Sequence, residues 1–220
     1  MIGILMLNTR FPRLPGDIGN QHSFAEPPLY ARVDDASVSA VVSDKKIDGA
    51  LLDQCIQSAL ELQSSGATVI GTSCGFLANV QHDIQQCLNV PFISSSLLLV
   101  PIIRTMFGHN VRIGVLTFDA AKLGPSHFNG ELNSHISIHG LDQSGPWYQC
   151  IAGNHEQMDE GLAGIDAMDV AARCIQAHPD TKVLLIECTN LSPWKNQMRT
   201  RFGLPVFDLV DALEWVNKAL

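Results

Sequence analysis

Hydrophobic residues lie along the chain in short uninterrupted runs, and longer stretches with helical spacing separate these runs. The strand-like runs are IGILML (2–7), VIGTS (69–73), PFIS (91–94), RIGVLTF (112–118), HISIHGL (135–141), KVLLIE (182–187) and PVFDL (205–209). A run that is apolar on both faces is typical of a strand in a parallel sheet, which helices cover on either side. The pattern therefore predicts an α/β fold.

Two of the intervening stretches have clear helical periodicity. In the segment 51–67, apolar residues recur three and four positions apart until Ser-Ser-Gly ends the pattern. The segment 168–179 repeats this spacing and stops at a proline. Strands therefore alternate with helices, as the connections of a parallel sheet require.

The order of these elements repeats along the chain. IGILMLNT and IGVLTFDA lie 111 positions apart, VPFIS and LPVFD lie 114 apart, and so do the cysteines of VIGTSCGF and LLIECTNL. We expect two pseudo-symmetric lobes, each a parallel sheet flanked by helices, with the active site in the cleft between them. The first lobe should contain residues 1–97 and the closing segment 205–220, which returns to it as a final helix, and the second lobe residues 98–204.

Composition and charge limit the classes of partner. The chain has 220 residues, 46% of them hydrophobic and 16% charged, and a formal net charge of −8. Nucleic acids and anionic membranes attract basic surfaces, so neither is an expected partner, whereas a small anionic substrate can still bind in a local pocket. No apolar run approaches the length that spans a bilayer, and the start resembles no signal peptide. We expect a soluble, cytoplasmic protein.

The six cysteines are expected to be reduced thiols, because no export signal accompanies them. No CxxC or CxxH pair is present, and His135 and His139 would lie about 13 Å apart in a strand, so no metal site is predicted. Four of the cysteines are assigned to packing, which is the ordinary role of a lone cysteine. They are Cys55, Cys87, Cys150 and Cys174.

Cys74 and Cys188 differ from the other four because each follows a buried strand at the same place in its copy of the repeat. Ligands of open parallel sheets bind beyond the carboxyl ends of the strands, so the two thiols should face each other across the cleft. A helix that starts beside each thiol is expected to lower the thiol pKa and to favour the thiolate. One thiol can then remove a proton from a carbon atom while the other returns a proton to the opposite side.

Removal of a proton α to a carboxylate requires hydrogen-bond donors that hold the carboxylate. Backbone N–H groups after each cysteine, side chains of the second motif, and polar residues near the ends of the duplicated first strands are suitable donors. The predicted substrate-binding residues are Asn8, Gly75, Phe76, Thr117, Thr189 and Asn190.

These motifs resemble the aspartate/glutamate/hydantoin racemase superfamily. The resemblance rests on TSC and ECTN at the two strand ends, on IGVLTF between them, and on FPRLPGDIGN (11–20), which is similar to a PGDIGN-like segment of a less characterised branch. It implies a cofactor-independent racemase or epimerase of an amino acid or related small carboxylate, with Cys74 and Cys188 as the acid/base pair. It also implies a homodimer.

Two departures leave the substrate open among aspartate, glutamate, a hydantoin and other α-substituted acids. Many amino-acid racemases of the superfamily have Cys-Asn-Thr where this chain has Cys74-Gly75-Phe76. Glutamate racemases also carry an Asp-Ser pair after the first strand, where this chain reads Leu7-Asn8-Thr9.

Several alternatives stay open. Related decarboxylases and cis–trans isomerases use one thiol, and a carboxylate-binding protein without turnover would need neither. The PGDIGN segment is either an ordinary turn or a loop over the cleft. Arg10 and Arg13 beside it are either surface residues or partners of a second substrate carboxylate.

Overall fold

Two four-stranded parallel sheets form the framework of the computed structural model, which describes residues 1–220. The strand order is β2-β1-β3-β4 in the first sheet and β6-β5-β7-β8 in the second. The two orders are equivalent, with a central first strand in each, and helices flank both sheets. The predicted α/β architecture of two similar lobes is confirmed.

The first sheet contains β1 (Ile2–Leu7), β2 (Leu29–Val33), β3 (Val69–Thr72) and β4 (Phe92–Ile93). The second sheet contains β5 (Ile113–Thr117), β6 (Ile136–Gly140), β7 (Val183–Ile186) and β8 (Val206–Phe207). The sequence pattern predicted all of these strands except β2. This strand lies at the sheet edge, and its exposed Tyr30 and half-buried neighbours interrupt the apolar run that marks the central strands.

The helices are α1 (Val38–Val41), α2 (Gly49–Ser64), α3 (Gln81–Gln85), α4 (Val100–Phe107), α5 (Pro146–Ala152), α6 (Glu160–Ala177), α7 (Lys195–Phe202) and α8 (Leu209–Ala219). Short 3₁₀ helices occupy Gln21–Ser23, Gly75–Val80, Ser96–Leu99, Pro125–His127 and Thr189–Trp194. Helix α6 starts eight residues before the predicted segment, because Asp159 caps it by accepting a hydrogen bond from the Leu162 N–H. None of the helices combines the length and apolar content needed to cross a lipid bilayer.

The lobes exchange their last helices. Helix α8 packs on the first sheet, where Leu213 lies against the bare Cα of Gly71 and joins Ile2 and Val69 in a small apolar cluster. Helix α4 packs towards the second lobe, where Phe107 meets Phe207 edge-on at 6.2 Å. Helix α8 therefore covers part of a sheet that it does not follow, and α4 contacts the second lobe at β8.

This exchange moves one of the predicted boundaries. All of 205–220 was expected in the first lobe, but β8 pairs with β7 in the second sheet. Only α8 returns to the first lobe. The physical reason is that β8 extends the second sheet by parallel pairing as β4 extends the first.

Candidate active site

Both repeated cysteines lie just beyond the carboxyl end of a central strand. Cys74 follows β3 and is the residue from which the 3₁₀ helix Gly75–Val80 starts. Cys188 follows β7 and starts the 3₁₀ helix Thr189–Trp194 in the same way. Both residues line one narrow cleft between the lobes.

The wall of this cleft is mostly apolar. Its apolar residues are Leu7, Phe11, Val38, Val42, Phe76, Phe118 and Ile151. Its polar residues, apart from the cysteines, include Arg13, Glu187, Thr189 and Asn190. Both lobes contribute to each set, so the site is complete only when the lobes are packed together.

Four of the six predicted binding residues line the cleft, namely Gly75, Phe76, Thr189 and Asn190. The amide of Asn8 instead donates a hydrogen bond to the Asp34 carbonyl oxygen at 2.8 Å, outside the cleft lining. Thr117 is fully buried and is not part of the cleft lining. Its hydroxyl donates to Glu187 Oε2 at 2.6 Å. Asn8 and Thr117 therefore lie outside the cleft lining, and the binding roles expected for all six residues stay predictions.

The second cysteine motif is tied to the first lobe by its own side chains. The Thr189 hydroxyl donates to the Ser73 carbonyl oxygen at 3.0 Å. The Asn190 amide nitrogen donates to Asp17 Oδ2 at 2.7 Å, while its oxygen accepts a contact from the Cys188 thiol at 3.7 Å. Asn190 thus orients the Cys188 S–H group towards its own amide oxygen.

The PGDIGN segment holds Arg13, which lines the cleft, by hydrogen bonds. Asp17, only 1% exposed, accepts from Arg13 Nη1 at 3.1 Å and from the Gly19 N–H at 2.7 Å. The Asn20 amide donates to the Arg13 carbonyl oxygen at 2.7 Å, and the Arg13 guanidinium lies 4.4 Å from the centre of the Phe11 ring. Arg13 is the only lysine or arginine that lines the cleft.

Arg10, the other arginine beside this segment, lies at the surface. Its side chain is 68% exposed and pairs with Glu156 at 3.0 Å. Its backbone N–H donates to Asn154 Oδ1 at 2.6 Å, so the loop after β1 contacts the second lobe there as well.

The thiol pKa values are raised, contrary to the expected lowering. Burial raises the pKa of Cys74 to about 12, and the Glu187 carboxylate adds to this increase. Burial also raises the pKa of Cys188 well above its usual range, again with Glu187 as the next cause. The N–H groups after each cysteine do stabilise the thiolates, as expected, but burial and a neighbouring negative charge outweigh them.

Glu187 is the cleft residue that the sequence analysis missed. It is 1% exposed, and burial raises the pKa of its carboxyl group from 4.5 to about 7. Its Oε1 atom has no hydrogen-bond partner. The ECTN motif contains this residue, but only the packing of the two lobes shows that its carboxylate lies beside the thiols.

The departures at Gly75 and Phe76 now have a structural reason. A Cβ atom at position 75 would clash with Glu187 Oε1 and would lie 2.7 Å from the Glu187 carbonyl oxygen, so only glycine fits. The Phe76 ring is 2% exposed and packs edge-on against His127 at 5.2 Å. Phe76 thus belongs to the packed wall of the first lobe.

The other cysteines lie away from the cleft lining. Cys55, Cys150 and Cys174 are buried, as packing residues should be, whereas Cys87 is exposed and so its assignment to packing was wrong. Cys87 lies just after α3, where the short helix ends at the surface. No three His, Cys, Asp or Glu side chains lie close enough together to hold a metal ion.

Comparison with known proteins finds similarity along the whole chain, although no protein-family model matches it. A dimethylsulfoniopropionate lyase of Durusdinium sp. clade D is 27% identical over 95% of this chain and 71% of that protein. Dimethylsulfoniopropionate lyase 5 of Emiliania huxleyi is 24% identical over 99% of this chain, which spans only 45% of that longer protein.

Solved structures share the fold at low sequence identity. Unliganded arylmalonate decarboxylase superposes with a TM-score of 0.61 at 15% identity, over 100% of this chain and 91% of that one. Allantoin racemase from Pseudomonas fluorescens gives 0.59 at 12% identity, over 100% and 90%. Glutamate racemase from Francisella tularensis gives 0.55 at 12% identity, over 99% and 79%.

Proposed function

The chain has the fold of the aspartate/glutamate/hydantoin racemase superfamily, and from this premise we propose that it is an enzyme that moves a proton at the carbon α to a carboxylate. Cys74 and Cys188 act as the base and the acid, and no organic cofactor takes part. The observation that supports this most strongly is that two thiols from equivalent strand ends of the two lobes line one cleft.

The substrate carboxylate is proposed to bind Arg13. This guanidinium is the one cation in an apolar cleft, and Asp17 and Thr9 hold two of its nitrogens at 3.1 and 2.8 Å while other N–H groups stay available. Charge-assisted hydrogen bonds to a carboxylate are strongest in such a water-poor site.

The raised thiol pKa values agree with this chemistry. A proton α to a carboxylate is very weakly acidic, so the thiolate that removes it must be a strong base. A thiol with a high pKa gives such a base, provided that the site supplies a way to ionise it. The partner thiol stays protonated and is ready to act as the acid.

Racemisation or epimerisation is the form of this reaction that uses both thiols. The first thiolate takes the proton from one face of the α-carbon, and the second thiol gives its proton to the opposite face. The substrate is then an amino acid or a related small carboxylate, with aspartate, glutamate and hydantoins as the compounds to test first.

Elimination is the second candidate, and two observations favour it. The curated relatives are named dimethylsulfoniopropionate lyases. The two thiols are also unequal, because Arg13 stabilises the Cys74 thiolate whereas the Asp17 carboxylate opposes ionisation of Cys188. In this form, Cys74 removes the α-proton of dimethylsulfoniopropionate, dimethyl sulfide leaves with the electron pair of its carbon–sulfur bond, and acrylate remains.

The test is a panel of chiral carboxylates, hydantoins and dimethylsulfoniopropionate incubated with the protein in heavy water and followed by NMR. We expect deuterium at the α-carbon, or acrylate and dimethyl sulfide. Cys74→Ser should lower either reaction by at least about 1,000-fold, because the base is lost. Cys188→Ser should lower the rate of inversion by the same factor, but an elimination should keep much of its rate. Cys55→Ser is the control for loss of a thiol outside the cleft.

If both cleft variants keep the wild-type rate, the proposed chemistry is wrong. A compound that raises the melting temperature without being changed would instead indicate a binding protein without turnover. The homodimer that the resemblance implies stays a prediction, and analytical ultracentrifugation measures it.

A further inference from the structure

One oxygen of the Glu187 carboxylate is buried without a partner. Oε2 accepts the Thr117 hydroxyl at 2.6 Å, whereas Oε1 has no hydrogen bond. An unpaired carboxylate oxygen in the interior is costly unless the group becomes protonated or meets a donor during function. The proposed chemistry uses only the two thiols to move protons and gives Glu187 no role.

The unpaired oxygen lies between the two cysteine motifs. Glu187 directly precedes Cys188 in the chain, and its Oε1 atom occupies the space where a Cβ atom of residue 75, directly after Cys74, would lie. The glycine has no Cβ, and this absence is what lets the carboxylate approach the first motif. One carboxylate of the second lobe therefore reaches both strand ends.

The charges around the cleft restrict how the three acids ionise. The titratable and charged side chains that line it are Cys74, Cys188, Glu187 and Arg13, with Asp17 held behind Arg13. The Arg13 cation already pairs with Asp17, so two negative charges at once among Glu187 and the two thiols are unfavourable in this buried space. Ionisation of one thiol is thus favoured when Glu187 is neutral.

We propose that Glu187 relays a proton between Cys74 and Cys188. The Cys74 S–H bond breaks as an O–H bond forms at Oε1, which leaves a thiolate and a neutral carboxylic acid. The thiolate then takes the substrate α-proton, and Cys188 gives its own proton to the substrate. Glu187 finally passes its proton to the Cys188 thiolate, and all three groups regain their starting states.

The relay rests on the proposed function only for the substrate step; the effect of the Glu187 charge on ionisation of Cys74 does not need a substrate. In an elimination, the same carboxylic acid releases the extra proton to solvent after the product leaves. Glu187 acts through the two thiols, by taking a proton from one and giving a proton to the other, and it need not touch the substrate.

Glu187→Gln tests the relay, with Glu61→Gln on the exposed face of α2 as the matched control. Without the carboxylate charge, Cys74 should ionise more readily, and iodoacetamide should alkylate it about tenfold faster near pH 8.5, as mass spectrometry of its peptide measures. Steady-state α-proton exchange should fall about 100-fold, because the relay is gone. A residue with a purely structural role would slow both reactions or neither.

The pH dependence of exchange is a second measurement, and it can be made even if Glu187→Gln folds poorly. Wild-type exchange should rise with pH up to about 7, since the relay begins with an ionised Glu187. Thr117→Val keeps the carboxylate but removes the hydrogen bond that lowers its pKa, so this rise should move to higher pH.

Unchanged alkylation of Cys74 in Glu187→Gln overturns the relay, even if no substrate has been found. Absence of exchange with every compound in the wild-type protein overturns the proposed function instead, and the alkylation rate still decides the relay. An alkylation rate that rises while exchange stays at the wild-type rate also rules the relay out.

Discussion

At the scale of single residues, Gly75 and Glu187 depend on each other. Glycine at position 75 leaves space for a carboxylate that any larger side chain would displace. The carboxylate in turn raises the pKa of both thiols and makes their ionisation depend on its own protonation. The Cys-Gly-Phe motif is therefore explained by a residue 112 positions further along the chain.

The raised Glu187 pKa predicts a pH-dependent stability. The folded protein keeps a proton up to about pH 7 that the unfolded chain loses near 4.5, so increasing pH across this window favours unfolding. The cost is complete above about pH 7 and amounts to about 3 kcal/mol. Urea unfolding at several pH values should show this decline in the wild type and a flatter profile in Glu187→Gln.

The difference between the two profiles isolates Glu187 from the other titrating groups. Glu61→Gln should follow the wild-type curve, because that carboxylate is exposed. Parallel curves for the wild type and Glu187→Gln would contradict the assignment.

At the scale of elements, the loop after β1 connects the two cysteine motifs. The Asp17 carboxylate accepts hydrogen bonds from Arg13 and the Gly19 N–H in its own loop, and from the Asn190 amide in the second lobe. Asn190 in turn accepts the Cys188 thiol. A segment whose composition is typical of a turn thus holds the cleft cation and orients one thiol.

Asp17→Asn should destabilise the protein by about 3 kcal/mol, because it leaves the mostly buried Arg13 without its counter-charge. Urea unfolding measures this change. Arg10→Gln is the control, since it breaks an exposed pair and should cost less than about 1 kcal/mol. Equal losses in the two variants would show that the loop has no special role.

At the scale of the whole molecule, the exchange of α4 and α8 couples the lobes. Helix α8 completes the apolar cover of the first sheet although it directly follows the last strand of the second. Further hydrogen bonds cross between the lobes, including the Ser96 hydroxyl to the Ile186 carbonyl oxygen at 2.7 Å. The cleft geometry therefore depends on both lobes being folded.

Leu213→Ala should lower the free energy of unfolding by about 3 kcal/mol, because it leaves a cavity over Gly71. If the lobes unfold as one unit, hydrogen exchange should quicken in β5 and β7 as well as in β1 and β3. Lys218→Ala at the exposed end of α8 should change neither quantity. Faster exchange confined to the first sheet would contradict the coupling.

The sequence by itself determined the repeat, the parallel sheets and the equivalent places of Cys74 and Cys188, because apolar runs and strand ends are local features of the chain. The edge strand β2 was missed, since partial exposure hides its pattern. Only the tertiary structure decided that Thr117 supports Glu187, that Asn8 turns away to Asp34, and that Glu187 lies beside both thiols. Those outcomes depend on which side chains meet when two lobes pack, and on the burial that then shifts their pKa values.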